Sequence, residues 1–240
     1  MAQVIVDVRS FYEASYGSQG SGAQRHYPNE EMCRFMGRHF FRIPADQRRT
    51  VRILEVGCGS GANLWMIGRE GFSAYGLDLS SEAIELCRRM LEAYGTTADL
   101  KVGSMTDTGY PAGFFDAVVD VFSSYCLDNH GHSAFLDEVA RILKPGGRFF
   151  SYLPSQESDA FKNPGPSTRV DDSTLDGIQR PDAPYFGNFY SFRFTTPDAY
   201  KADLGRRHFT IDAMERVSRT YRQTAEYFEF VVVDAVHRAP

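Results

Sequence analysis

The stretch "LEVGCGSGANL", residues 54–64, decides the fold. It sets Gly57, Gly59 and Gly61 within five positions, directly after the apolar run "VRILEV" (51–56) and directly before the helix-like "ANLWMIGREG" (62–71). Glycines in such a turn let the backbone bend tightly and approach a ligand where a Cβ would be costly. A β-branched strand feeding a glycine turn and then a helix is the opening unit of a parallel sheet, with a ligand seat at the turn.

Outward from that turn the chain keeps the same rhythm. "FSAYGLDLS" (72–80) reads as a second strand, and Ser80 caps a helix whose inward face carries Ala83, Ile84, Cys87, Met90 and Leu91. "DLKVG" (99–103), "FDAVVDVF" (115–122) and "RFFSYL" (148–153) are strands three to five. "SAFLDEVARIL" (133–143) is the helix before the last of them, broken by "KPGG". Strand and helix in alternation imply a parallel sheet with helices on both faces.

The remainder departs from that rhythm. Residues 154–192 are polar, dotted with aromatics and rich in proline and glycine, which predicts a long loop or lid. Thr196 and Pro197 open a helix that Gly205 stops. "FTIDAMERVS" (209–218) and "EYFEFVVVDAV" (226–236), joined by "RTYRQTA", predict a hairpin that adds antiparallel strands at one sheet edge. The expected fold class is α/β, a doubly wound, mostly parallel seven-stranded sheet with a C-terminal antiparallel hairpin. It is read as one domain over 1–240: a helical N-terminal cap (1–48), a core (49–153), a lid or insertion (154–192), and a C-terminal helix and hairpin (193–240).

Composition narrows the partners. An apolar content of 42% in 240 residues supports one sizeable core. A net charge of −5 argues against a nucleic-acid binder with a broad basic surface. Cys33, Cys58, Cys87 and Cys126 form no CxxC pair and have no histidine cluster beside them, so neither zinc nor a disulfide framework is indicated. Reduced thiols, no apolar run of membrane-spanning length and no signal-like start predict a soluble cytoplasmic protein, monomer or homodimer, with no membrane contact.

Which ligand the turn holds depends on its neighbours. Gly57-x-Gly59-x-x-Ala62 fits the dinucleotide fingerprint GxGxxA. Glu55, two residues before the first glycine, opposes that reading, because a carboxylate repels the pyrophosphate that such a helix start must accept. A cationic ligand would be helped by it. Asp78, at the end of the second strand, suits a ribose in either reading.

Read as Glu55-x-Gly57-x-Gly59-x-Gly61, the turn resembles the first motif of class I S-adenosylmethionine-dependent methyltransferases. The resemblance runs over roughly residues 50–153, through "GLDLSSEAIELCR", "KVGSMTD", "FDAVVDVFSSYCL" and "RILKPGGRF" in order. It implies a Rossmann-like methyltransferase fold and S-adenosylmethionine as cofactor. Gly57, Gly59 and Gly61 would pass beneath its methionine part, with Glu55 near the ammonium. Asp78 would take the ribose, with Leu79, Ser104 and Met105 around the adenine. Ser104 stands where the family often has an aspartate, and Asp107 is the alternative donor of that carboxylate. Val121 and Phe122 would line the cofactor, and Asp120 would contact its ammonium. From the N-terminal cap, Arg25 would pair with the cofactor carboxylate, and Tyr16 would join it.

Methyl transfer needs the acceptor held in line with the methyl group, and a base only where the acceptor arrives protonated. The loop "SSYCLDNHGH" after strand four offers Tyr125 as an aromatic against the reactive methyl and His130 and His132 as candidate bases. His26, Tyr27, Tyr185 and Tyr190 are candidate contacts to a small-molecule acceptor, in segments whose aromatic density suits an apolar or planar one. "LDN" (127–129) resembles the metal-holding Asp-Asn pair of cation-dependent catechol-type methyltransferases, with Asp120 and Asp128 as partners, but that pair belongs beyond strand five and nothing in "SYLPSQ" supplies it, so no metal is expected. Two rival functions remain: an NAD(P)-dependent oxidoreductase and a cofactor-binding partner protein without catalysis.

Overall fold

The computed structural model describes residues 7–23 and 25–238, residues 21 and 23 by backbone alone. Residues 1–6 of the expected N-terminal cap lie outside that range. The described part of the cap is helical, as expected: α1 (Val8–Gln19), a 3-10 turn (Gly20–Ala23), α2 (Glu30–His39) and α3 (Ala45–Arg48). Asp7 caps α1 through the Ser10 amide, and Asn29 caps α2 through those of Glu31 and Met32.

The alternating core comes next as β1 (Arg52–Val56), α4 (Leu64–Arg69), β2 (Ser73–Asp78), α5 (Ser81–Ala93), β3 (Asp99–Val102), β4 (Phe115–Val121), α6 (Asn129–Ile142) and β5 (Leu143–Pro154). Then come α7 (Asp159–Lys162), the short pair β6 (Thr174–Leu175) and β7 (Phe192–Arg193), α8 (Pro197–Gly205), β8 (Phe209–Tyr221) and β9 (Glu226–His237). The seven-stranded sheet has the order β3-β2-β1-β4-β5-β9-β8. Its first five strands are parallel, and β9 and β8 add the expected antiparallel hairpin at the β5 edge. The order reverses between β1 and β4, and open α/β sheets form their ligand crevice at the carboxyl ends beside such a reversal. Glu55 pairs there with Gly76 of β2 and Val119 of β4.

Three elements differ from expectation. Helix α6 starts at Asn129, four residues early, because Asp128 caps it through the Gly131 amide at 2.8 Å. The cap overrides the weak helix propensity of "NHGH". Strand β5 absorbs "KPGG" as a bulge against Phe115 and Ala117, where a break was expected. The 154–192 segment, expected as a long loop or lid, is largely irregular but anchored: Leu175, Ile178, Tyr190 and Phe192 are buried in the main core, and the β6–β7 pair ties its middle to its end. Its polar sequence hid how few aromatic anchors are needed to fix it. Among the described residues no helix is long and apolar enough to cross a membrane.

Candidate functional site

The site is built from the β1 turn outward. Gly57, Gly59 and Gly61 all have left-handed backbones, at φ 62°, 51° and 89°. A Cβ on Gly57 would stand 2.3 Å from the Ser123 Cβ, and one on Gly61 2.7 Å from the Cys87 Sγ. The turn therefore lies flat against the loop after β4 and the first turns of α5, where side chains have no room.

Glu55 reaches this turn from β1 and is buried, 2% exposed. Asn63 donates to its Oε1 at 2.5 Å, while its Oε2, equally enclosed, has no hydrogen-bond partner. Burial pushes the carboxyl up to about 8, against the opposing pull of the Asn63 hydrogen bond and the Arg25 guanidinium. Asn63 in turn accepts the Asn29 amide at 2.8 Å, tying the start of α2 to the glycine turn.

Asp78 ends β2 and accepts the Gly59 amide at 2.9 Å on one oxygen and the Ser80 amide at 2.9 Å on the other. Each oxygen keeps a lone pair for a further donor. Burial raises its pKa against those amides. Tyr12, Tyr16, Asp78, Leu79, Met105 and Phe122 line a cavity beside the turn, partly open to solvent. Helix α1 roofs it and is latched by Glu13, whose carboxylate accepts the Ser81 amide at 2.9 Å and the Ser81 hydroxyl at 3.2 Å. A carboxylate at the start of α5 also meets the positive end of its dipole.

At the end of β4, Asp120 is fully buried and accepts from the amides and hydroxyls of Ser123 and Ser124 and from the Ser151 hydroxyl. Those five donors fill a carboxylate that was expected to meet a cofactor ammonium; it shapes the loop instead. Val121 is buried at the strand end. Phe122 stands at φ 59°, a left-handed backbone that a non-glycine residue adopts at a cost, and turns its ring into the cavity. Tyr125 is buried behind it, ring centroids 4.3 Å apart. Its hydroxyl closes a triangle with those of Tyr12 and Tyr190, at 2.6, 2.9 and 2.6 Å around the ring. Burial holds the Tyr125 phenol well above its usual range.

The two histidines leave the site. Both ride the first turn of α6, where a loop was expected. His130 faces solvent, and His132 is buried against Phe135 and Tyr200, its Nε2 unpartnered. Burial, then Arg193 and Arg207, keep His132 well below the usual histidine pKa. Asp128 caps α6, accepting the Gly131 amide. The Ser104 hydroxyl is engaged by Thr106 at 2.8 Å, and Asp107 is exposed. His26 and Tyr27 are exposed, the His26 carbonyl accepting from the Trp65 indole at 3.0 Å. Arg25 and Tyr185 line a second cleft, to which Phe122 also contributes. Asn63, Glu13, Ser123 and Tyr12 were not among the candidates read from the sequence. The i, i+4 spacing of Tyr12 and Tyr16 was the available signal.

Residues 53–147 match a family described as a methyltransferase domain. A fatty-acid O-methyltransferase of Mycolicibacterium smegmatis is 41% identical over 100 residues, 41% of this chain and 35% of that protein. A ubiquinone biosynthesis O-methyltransferase of Xanthomonas axonopodis is 33% identical over 115 residues, 46% of each. The matched stretch thus spans less than half the length of either relative. In structure, the magnesium protoporphyrin IX methyltransferase of Synechocystis with bound SAH superposes with a TM-score of 0.63 at 14% identity, covering 96% of this chain and 98% of that one. Residues 53–147 are thus similar to a methyltransferase domain, and they form the parallel part of the seven-stranded sheet.

Proposed function

We propose that the protein transfers a methyl group from S-adenosylmethionine to an oxygen or nitrogen of a small-molecule acceptor. The observation that carries this is the buried Glu55 with one oxygen unpartnered at the glycine turn. An anionic pyrophosphate would gain no counter-charge from that carboxyl, whereas an ammonium draws it to the carboxylate and supplies the missing donor. The nicotinamide alternative loses its support at the same residue.

The residues present fit the cofactor. Gly57, Gly59 and Gly61 would run beneath its amino-acid part, Glu55 would take the ammonium, and Arg25, which acts on Glu55, would take the carboxylate. Asp78 would accept from the ribose, with Leu79 and Met105 about the base. Bound there, the cofactor supplies an electrophilic methyl group on a sulfonium. The protein's own part is to hold the acceptor in line and keep water out, an advantage of up to roughly 7–11 kcal/mol. Phe122 and α1 wall the cavity for that purpose. Neither His130 nor His132 lines it.

The test is incubation with S-adenosylmethionine and separate panels of phenols, amines and carboxylic acids, reading S-adenosylhomocysteine by mass spectrometry. Turnover with one class is expected. Tight cofactor binding without turnover on any class would favour the binding protein that lacks catalysis.

A further inference from the structure

Phe122 is common to two spaces: it lines the cofactor cavity and also a second cleft, partly open to solvent, with Arg25, Tyr152, Tyr185, Arg219, Tyr221 and Phe230. The walls are flat. Tyr152 stacks on Phe230 at 4.5 Å and 18°, and Tyr185 faces Phe122 at 4.8 Å. Tyr185 holds that pose at φ 69°, a second left-handed non-glycine residue at the same place.

Two guanidiniums open into this cleft, and among the described residues neither Arg25 nor Arg219 makes an ion pair or hydrogen bond. Glu30, at the rim, pairs with neither. Arg25 and Arg219 both lie close enough to the phenols of Tyr152 and Tyr185 to act on them, whereas only Arg25 acts on Glu55. Arg25 enters the cleft from the loop before α2 and Arg219 from the tip of β8. In a chain of net charge −5, two unneutralised cations over an aromatic box point to an anionic ligand.

Resting on the methyl-transfer reading above, we infer that this cleft is the acceptor site and selects a planar molecule bearing a carboxylate, held by Arg219. The aromatic lining of the cleft, Phe122, Tyr185 and Tyr152 included, packs against the planar body. The guanidinium takes the carboxylate by paired hydrogen bonds, with the Tyr221 hydroxyl within the same lining. The carboxylate is thus the handle at the far end, and the methylated atom lies toward Phe122.

The experiment is calorimetric titration of the protein, with and without S-adenosylhomocysteine, with 2-naphthoate and 4-hydroxybenzoate against their carboxamides. The acids are expected to bind at least about tenfold more tightly than the amides. Arg219→Gln should erase that preference, Arg219→Lys should restore part of it, and both should bind S-adenosylhomocysteine as the wild type does. Equal binding of acid and amide, absence of acid binding, or an unchanged preference in Arg219→Gln overturns the inference. Failure of S-adenosylhomocysteine to bind would count against the cofactor reading instead, since the acid–amide comparison is also made without it.

Discussion

Asn63 grips Glu55 by one oxygen at 2.5 Å and leaves the other, just as buried, with nothing to bond. A buried carboxyl in that state favours its proton, and an arriving ammonium reverses the preference.

Binding should therefore release a proton. With the Glu55 carboxyl pushed up to about 8, the free protein is mostly protonated there at pH 6 to 7, and the complex needs the carboxylate. Affinity for S-adenosylhomocysteine should rise with pH between about 6 and 7.5, by up to tenfold per unit. The ligand-free fold changes the other way: an acid with a raised folded pKa loses stability as pH rises from the unfolded value near 4.3 towards 8. Titration in buffers of different ionisation enthalpy counts the proton directly. Glu55→Gln should release none.

Asp78→Asn removes an acceptor that two amides share. Gly59 and Ser80 each donate to a separate oxygen at 2.9 Å, and an amide side chain offers only one. Stability should fall by about 1–3 kcal/mol, and S-adenosylhomocysteine should bind at least about tenfold more weakly. Denaturant unfolding and the same titration read the two effects separately.

Tyr125→Phe tests whether the phenol triangle is scaffold or chemistry. Tyr12 and Tyr190 remain bonded to each other at 2.9 Å when the third hydroxyl goes, so the loss should be about 1 kcal/mol of stability. Because burial already holds the Tyr125 phenol far above neutral pH, the pH–rate profile should not move. A lost alkaline limb would make Tyr125 a base.

Glu13→Gln should loosen the roof. The Glu13 carboxylate feels some burial, but the Ser81 and Glu82 amides outweigh it and lower its pKa. That contact is present above the ordinary carboxylate range and lost as pH falls through the lowered value. Stopped-flow release of S-adenosylhomocysteine should be several-fold faster in Glu13→Gln at neutral pH, with the unfolding midpoint little changed.

The core was legible because it is periodic. Strands β1 to β5, the Ser80 cap and the C-terminal hairpin each follow from local apolar patterning, and the glycine turn from its spacing. The same local reading misplaced His130 and His132, since one capping hydrogen bond from Asp128 turned an expected loop into helix. Asp120 was misread because nothing in a linear sequence says that Ser151, thirty-one residues on, would return to fill it. The Tyr12–Tyr125–Tyr190 triangle spans 178 residues and has no sequence signature at all. Long-range satisfaction of polar groups is where pattern reading stops.

The most direct test of the central claim is a calorimetric comparison of S-adenosylhomocysteine with NADH on the wild-type protein. The buried Glu55 beside the glycine turn predicts micromolar binding of the first and none of the second. NADH binding more tightly than S-adenosylhomocysteine would contradict it.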